Sequence, residues 1–157
     1  MKTIHRDIVS ALIISKDNKL LMGMKYSASG GVYADCWHLP GGGIENGEEM
    51  LTAVKREILE ETGINTFDSE IVLADNQGQG ITEKILKEAG EKVLCNMKFN
   101  VYKVMLNIDS VMVVIHPNDD LEKLIWADLS QLSKYKLTPP SISLFKRLGY
   151  MSDIDKV

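Results

Sequence analysis

The tightest constraint on the fold lies between Asn46 and Gly63. Asn46 offers a helix N-cap with Glu49 three residues on, and Gly63 stands where a helix C-terminal glycine belongs. The spacing predicts one helix of about four turns between them. Its apolar residues Leu51, Val54 and Ile58 fall on one stripe that must face a core. Glu57, Glu60 and Glu61 share a neighbouring arc of roughly 100° at the edge of that packing.

Three glutamates crowded near the C-terminal half of a helix oppose one another and the helix dipole, each effect costing a few tenths to ~1 kcal/mol. Arg56 can pair with Glu60 at i,i+4, but one cation does not neutralise three carboxylates. A hard divalent ion with oxygen ligands does, which makes Mg²⁺ or Mn²⁺ the natural occupant. The alternative is a solvated acidic helix face. Pro40-Gly41-Gly42-Gly43 just upstream reads as a flexible turn whose backbone amides can approach phosphate oxygens.

Around this helix the chain reads as a layered α/β unit with a mixed sheet. Residues 5–15 and 19–26 are expected as two strands joined by a turn at Lys16-Asp17-Asn18, and Ser27–Asp35 as a loop. Trp37–Leu39 is expected as a short strand. Residues 70–87 and 92–107 read as a long hairpin, with Glu83–Ala89 open to a helical alternative. Val111–Ile115 and Leu124–Ala127 read as strands, and Ser141–Leu148 as a closing amphipathic helix. The 157 residues suit a single domain, 1–157.

With 18 basic and 22 acidic side chains, the net charge of −4 provides no global positive field for a nucleic-acid polymer. Cys36 and Cys95 stand apart, without a zinc-ligand spacing, and are read as reduced thiols. The apolar run Ile8–Ile14 is flanked by Asp7 and Lys16 and lacks a cleavage site, so it reads as a buried strand rather than a signal peptide. No run approaches the ~18 residues of a membrane span, so a cytoplasmic location is expected.

Gly42, five residues, Glu48, seven residues, then Arg56-Glu57-Ile58-x-Glu60-Glu61-x-Gly63-Ile64 resembles the Nudix box with every defining position filled. Seven of these positions demand one residue type, so at ordinary usage a chance match is on the order of 10⁻⁸ per starting point. Gly31-Val32 and Trp37 before the triple glycine, Trp126 and Leu148-Gly149 further resemble bacterial nucleoside triphosphatases of the Nudix I type.

The resemblance implies an α/β/α sandwich and Mg²⁺-dependent hydrolysis of a nucleoside diphosphate linked to a moiety X, with Mn²⁺ able to substitute. For a nucleoside triphosphate the products would be the monophosphate and pyrophosphate. It further implies Glu57, Glu60 and Glu61 as metal ligands, Glu48 as a supporting carboxylate or further ligand, and Arg56 as the clamp that orients them. Gly42 and Gly43 would shape the substrate loop.

For the general base, Glu57, Glu60, Asp119 and Asp120 are candidates. For the substrate, Tyr26, Tyr33, His38, Phe99 and Tyr102 could meet the base and Lys25 a phosphate. Nucleotide sugars, dinucleotide polyphosphates and oxidised nucleotides fit the same chemistry. A non-catalytic nucleotide-sensing module would be expected to lack box glutamates, and none is missing here. The expected partner is a small nucleotide rather than a polymer or a membrane, and a homodimer is left open.

Overall fold

A computed structural model of the chain describes residues 1–26, 33–86, 90–119 and 121–152. Its strands are β1 (Thr3–Ile14), β2 (Lys19–Met24), β3 (Gly41–Gly43), β4 (Ile71–Asp75), β5 (Gln79–Ile85), β6 (Lys92–Met105) and β7 (Lys123–Asp128). Two helices accompany them, α1 (Met50–Thr62) and α2 (Pro139–Arg147). All seven strands join one mixed sheet of order β4-β6-β1-β2-β7, with β3 added to β1 and β5 to β6. The β1–β6 pair is parallel, from Thr3 opposite Leu94 to Ile14 opposite Met105.

The apolar run in β1 is continuous because the strand is covered on both faces. Val9, Ala11 and Ile13 pack with Ala53, Val54 and Ile58 of α1, whereas Leu12 and Ile14 pack with Leu144 and Phe145 of α2. The sheet is thus sandwiched between the two helices, as the α/β/α expectation has it. α1 ends at Gly63, whose φ of 79° lets its N–H bond back to Leu59 O at 3.0 Å. α2 opens on the Thr138 side chain, which accepts from Ser141 N, with Pro139 in the first turn.

Several expectations are corrected. α1 begins at Met50 with Glu49 as N-cap, and Glu49 makes no side-chain cap bond. Asn46-Gly47 forms a turn in which Glu48 N–H donates to Glu45 O, and the Glu48 carboxylate accepts from Glu45 N and Arg56. Gly41–Gly43 is a strand, not a flexible turn: Gly41, Gly42 and Gly43 pair with Ser10, Val9 and Ile8.

The long hairpin is split in two. β4 and β5 both run antiparallel to β6, separated at Asn76–Gly78, and Glu83–Ile85 is strand rather than helix. Trp37 and His38 form only isolated bridges, to Leu137 and Gly23. The β-branched segment Val111–Ile115 forms no strand, since Ser110–Met112 is a 3-10 turn capped by Asp17, which accepts from Ser110 N and Oγ at 2.8 Å each. Both cysteines are free, and among the described residues no helix is long and apolar enough to cross a membrane.

Candidate active site

Arg56 lies among the carboxylates of α1 and its approach loop. Its Nε and Nη2 donate to the two Glu48 oxygens at 2.7 and 2.9 Å, and its Nη1 to Glu57 Oε1 at 2.9 Å and Glu60 Oε2 at 3.2 Å. Nη2 also reaches Gly43 O at 3.1 Å, which ties α1 to β3. Glu61 points the other way, buried at 2% exposure, and accepts the Gly41 N–H at 2.7 Å. The helix and the glycine strand are therefore fixed to each other through the box residues themselves.

The electrostatics separate these carboxyls. Arg56, followed by the Glu45 N–H, lowers the Glu48 carboxyl to about 2. Hydrogen bonding to Glu48 in turn holds the Arg56 guanidinium above its ordinary range. Glu57 moves upward, chiefly because it is buried, with the charges of Glu60 and Asp119 adding to the effect and Arg56 opposing it. Glu57 shares its one guanidinium with three other glutamates, Glu45, Glu48 and Glu60.

Gly42 is packed so closely that a Cβ there would lie 2.5 Å from Glu57 Oε1. Arg6, for which no motif or spacing signalled a role, approaches Gly43 from β1. The later acidic loop is brought to the same end of α1 by His116 N–H donating to Thr62 O and Asn118 N–H donating to Glu61 O. Asp119 sits there in a left-handed conformation, φ 54°. Asp120 lies outside the described residues, as do Gly31 and Val32.

Among the described residues, no group of three or more His, Cys, Asp or Glu side chains is arranged to hold a metal ion. The acidic groups are turned onto Arg56 and Gly41 instead. In donor chemistry they still fit a hard divalent cation, because Glu48, Glu57 and Glu60 bring carboxylate oxygens together around Arg56 and Glu57 is largely buried.

A cavity of about 700 Å³ on the α2 side of the sheet touches this centre only through Gly41 and Gly42, since no box carboxylate is in its lining. Lys25, Tyr33, His38 and Phe99 line it as well. Tyr102 does not, because it is on the opposite face of β6 and its hydroxyl meets Met50 Sδ at 3.6 Å. Tyr26 is exposed and outside the lining. The far wall, from Gln77 to Gly80 and Arg147, was not singled out from sequence. The alternating glycines Gly78 and Gly80 beside an aromatic strand were the available signal.

A family model of the NUDIX domain matches residues 4–148. The chain belongs to the Nudix family. Among Nudix relatives, the RNA pyrophosphohydrolase of Bartonella bacilliformis is 34% identical over 67 residues, covering 41% of this chain and 39% of that protein. The chain thus spans about two fifths of the length of that curated relative.

The solved MutT protein from Methanosarcina mazei Go1 matches with a TM-score of 0.66 and 22% identity, over 95% of this chain and 96% of that one. A bifunctional NMN adenylyltransferase/ADP ribose pyrophosphatase from Francisella tularensis, complexed with AMP and a Mn ion, matches at 0.60 and 20% identity, covering 92% of this chain and 41% of that one. These two likenesses show the Nudix fold.

Proposed function

We propose that the chain is a divalent-metal-dependent pyrophosphohydrolase of nucleoside diphosphate compounds, acting on a free ribo- or deoxyribonucleoside triphosphate. One observation carries this reading. The cavity wall includes Gly41 and Gly42, the residues in direct contact with Glu61 and Glu57, so a ligand of nucleotide size in the cavity shares the β3 strand with the acidic centre. In this reading Glu57, Glu60 and Glu61, with Glu48 in support, hold Mg²⁺ or Mn²⁺. The ion would neutralise phosphate oxygens and lower the pKa of water.

Arg56 keeps the glutamates ionised and oriented, and Gly42 and Gly43 shape the strand along which the phosphates lie. Tyr33 and Lys25 contribute to the wall that confines the nucleotide. Water adds to one phosphorus and the phosphoanhydride P–O bond breaks. The proton passes to a carboxylate of the cluster or of the Asp119–Asp120 loop, and pyrophosphate leaves the nucleoside monophosphate.

A second reading, hydrolysis at the triphosphate end of an RNA, is supported by the name of the Bartonella relative. Product analysis in ¹⁸O-labelled water with Mg²⁺ separates the two, using free nucleoside triphosphates, nucleotide sugars, dinucleotides and a 5′-triphosphorylated oligonucleotide. The expected result is monophosphate and pyrophosphate from free nucleotides, with label in the product whose phosphorus was attacked. Turnover confined to the oligonucleotide would favour the RNA reading, and no turnover of any compound would overturn both.

Metal binding has its own readout. At one hundred times its dissociation constant, a ligand of the native state adds ~2.7 kcal/mol, which for a chain of this size raises Tm by about 5–10 °C. An unchanged melting curve at saturating Mg²⁺ and Mn²⁺ would remove the metal from the proposal.

A further inference from the structure

The cavity has a second end, and its position is fixed by the sheet. One row of paired residues crosses from Gly41 of β3 to Ser10 of β1, Val101 of β6 and Asp75 of β4. The neighbouring row runs Gly43, Ile8, Phe99 and then Gly78, whose carbonyl accepts the Phe99 N–H at 2.9 Å. Three strand spacings, about 14 Å, therefore separate the glycine strand at the glutamates from Asp75 and Gly78. A nucleotide whose phosphates lie at Gly41–Gly43 extends its base along these rows to the far wall.

At that wall Arg147, from the last turn of α2, is bound side-on to Asp75. Its Nε donates to Asp75 Oδ1 at 3.1 Å and its Nη2 to Oδ2 at 2.8 Å. The Asp75 carboxyl is lowered chiefly by this contact. The pair is close to neutral as a unit, so it offers little net attraction to phosphate. It does offer direction, because side-on pairing leaves Nη1 and the second Nη2 hydrogen as a planar two-donor fork.

The guanidinium lies beside Gly78, where an added Cβ would be 3.3 Å from both Arg147 Nη2 and the Phe99 ring. The same ring lies 3.2 Å from a Cβ built at Gly80. An aromatic plate and a fixed donor fork thus share one wall of the cavity.

We propose that this wall selects the base of the nucleotide, with Phe99 stacking on it and Arg147 donating to two adjacent acceptors, which makes guanine the preferred base. Guanine alone among the common bases presents N7 and O6 as neighbouring acceptors on one edge. Adenine presents an acceptor beside a donor there and uracil a single carbonyl, while cytosine offers an acceptor pair only at N3 and O2 on its other edge and stacks on Phe99 with a single ring. Asp75 acts as a positioning residue that holds the fork in plane. The inference deepens the nucleotide-hydrolase reading and rests on it for the orientation of the ligand.

The test uses the full chain and two measurements. Calorimetric titration with GMP, AMP, CMP and UMP, without metal, reads base preference independently of hydrolysis. Steady-state kcat/KM with Mg²⁺ is then measured for the four nucleoside triphosphates and for 8-oxo-dGTP, whose N7 carries a hydrogen and no longer accepts. GMP is expected to bind about tenfold or more tightly than AMP, the discrimination of one good bidentate contact, and GTP to exceed 8-oxo-dGTP in kcat/KM. Arg147→Ala should abolish the preference.

Arg147→Lys keeps the charge for Asp75 but not the fork, so it should also lose the preference while staying folded. Phe99→Ala should weaken all four monophosphates about tenfold and leave their order intact. A wild-type protein with no preference for GMP, including one that binds no monophosphate, would overturn the proposal, as would a preference that survives Arg147→Lys. Hydrolysis of all triphosphates without base preference would leave the hydrolase reading standing and this one refuted. A GMP preference without hydrolysis would do the reverse.

Discussion

Glu57 is the residue where the requirements of folding and of the proposed chemistry diverge most. It is largely buried at the edge of α1, its carboxyl is pushed up by burial and by Glu60 and Asp119, and the guanidinium beside it is shared with Glu45, Glu48 and Glu60. An apolar or amide side chain would suit the fold as well, because Arg56 retains Glu48 as its main partner. Glu57→Gln is therefore expected to fold, with Tm in metal-free buffer no lower than that of the parent. Its kcat should fall by about two orders of magnitude or more, the scale of loss when a charge at a reacting centre is removed. Circular dichroism melts and initial rates check both halves, and full activity in the variant would remove Glu57 from the site.

At the scale of elements, β3 shows how differently adjacent glycines can be constrained. A Cβ at Gly41 would collide with the backbone carbonyl of Val9, which has nowhere to go inside the sheet. At Gly42 it would meet the Glu57 carboxylate, the movable end of a side chain. Gly41→Ala is thus expected to lower Tm steeply, and Gly42→Ala to leave Tm near the parent value while kcat drops as Glu57 is displaced. Equal effects of the two substitutions on Tm and on rate would contradict this geometry.

The same strand marks the limit of what could be read in advance. The α1 box, its Gly63 stop and the Val54 and Ile58 part of the apolar stripe were legible because helix ends and helical periodicity are local, whereas Leu51, expected on the same stripe, is exposed at the first turn. The triple glycine looked like a turn because its pairing with Ile8–Ser10 is made by residues more than 30 positions away. Val111–Ile115 had β-branched side chains but not a sheet edge to pair with, and strand propensity without a partner is weak. Asp17 had already captured the Ser110 N–H. Asn46 lost the cap position because Glu48 is drawn to Arg56, a contact that only the folded turn creates. Arg147 and Asp75, 72 positions apart, carried no local signal at all.

For the whole molecule, three side-chain ties between elements run through carboxylates, which sets its response to acid. Asp17 joins the β1–β2 turn to the Ser110 segment, Asp75 joins β4 to α2 through Arg147, and Glu48 joins the approach loop to α1. All three carboxyls lie below their ordinary values in the folded chain. A carboxyl lowered by folding contributes stability that is fully present above its unfolded value and is lost as pH falls through its folded value.

For Asp75 the loss begins near the ordinary value of 3.8 and continues below it. Glu57 is raised and works in the opposite sense, but it is one group against three. Asp75→Asn should therefore be less stable than the parent at pH 7 by about 1 kcal/mol, the worth of a partly exposed hydrogen-bonded ion pair. The gap should narrow as pH drops below 4 and close once Asp75 in the parent is itself protonated. Urea melts at pH 7, 5, 4, 3 and 2 measure this, and a stability difference that stays constant down to pH 2 would show that the Asp75–Arg147 pair does not tie the sheet to α2.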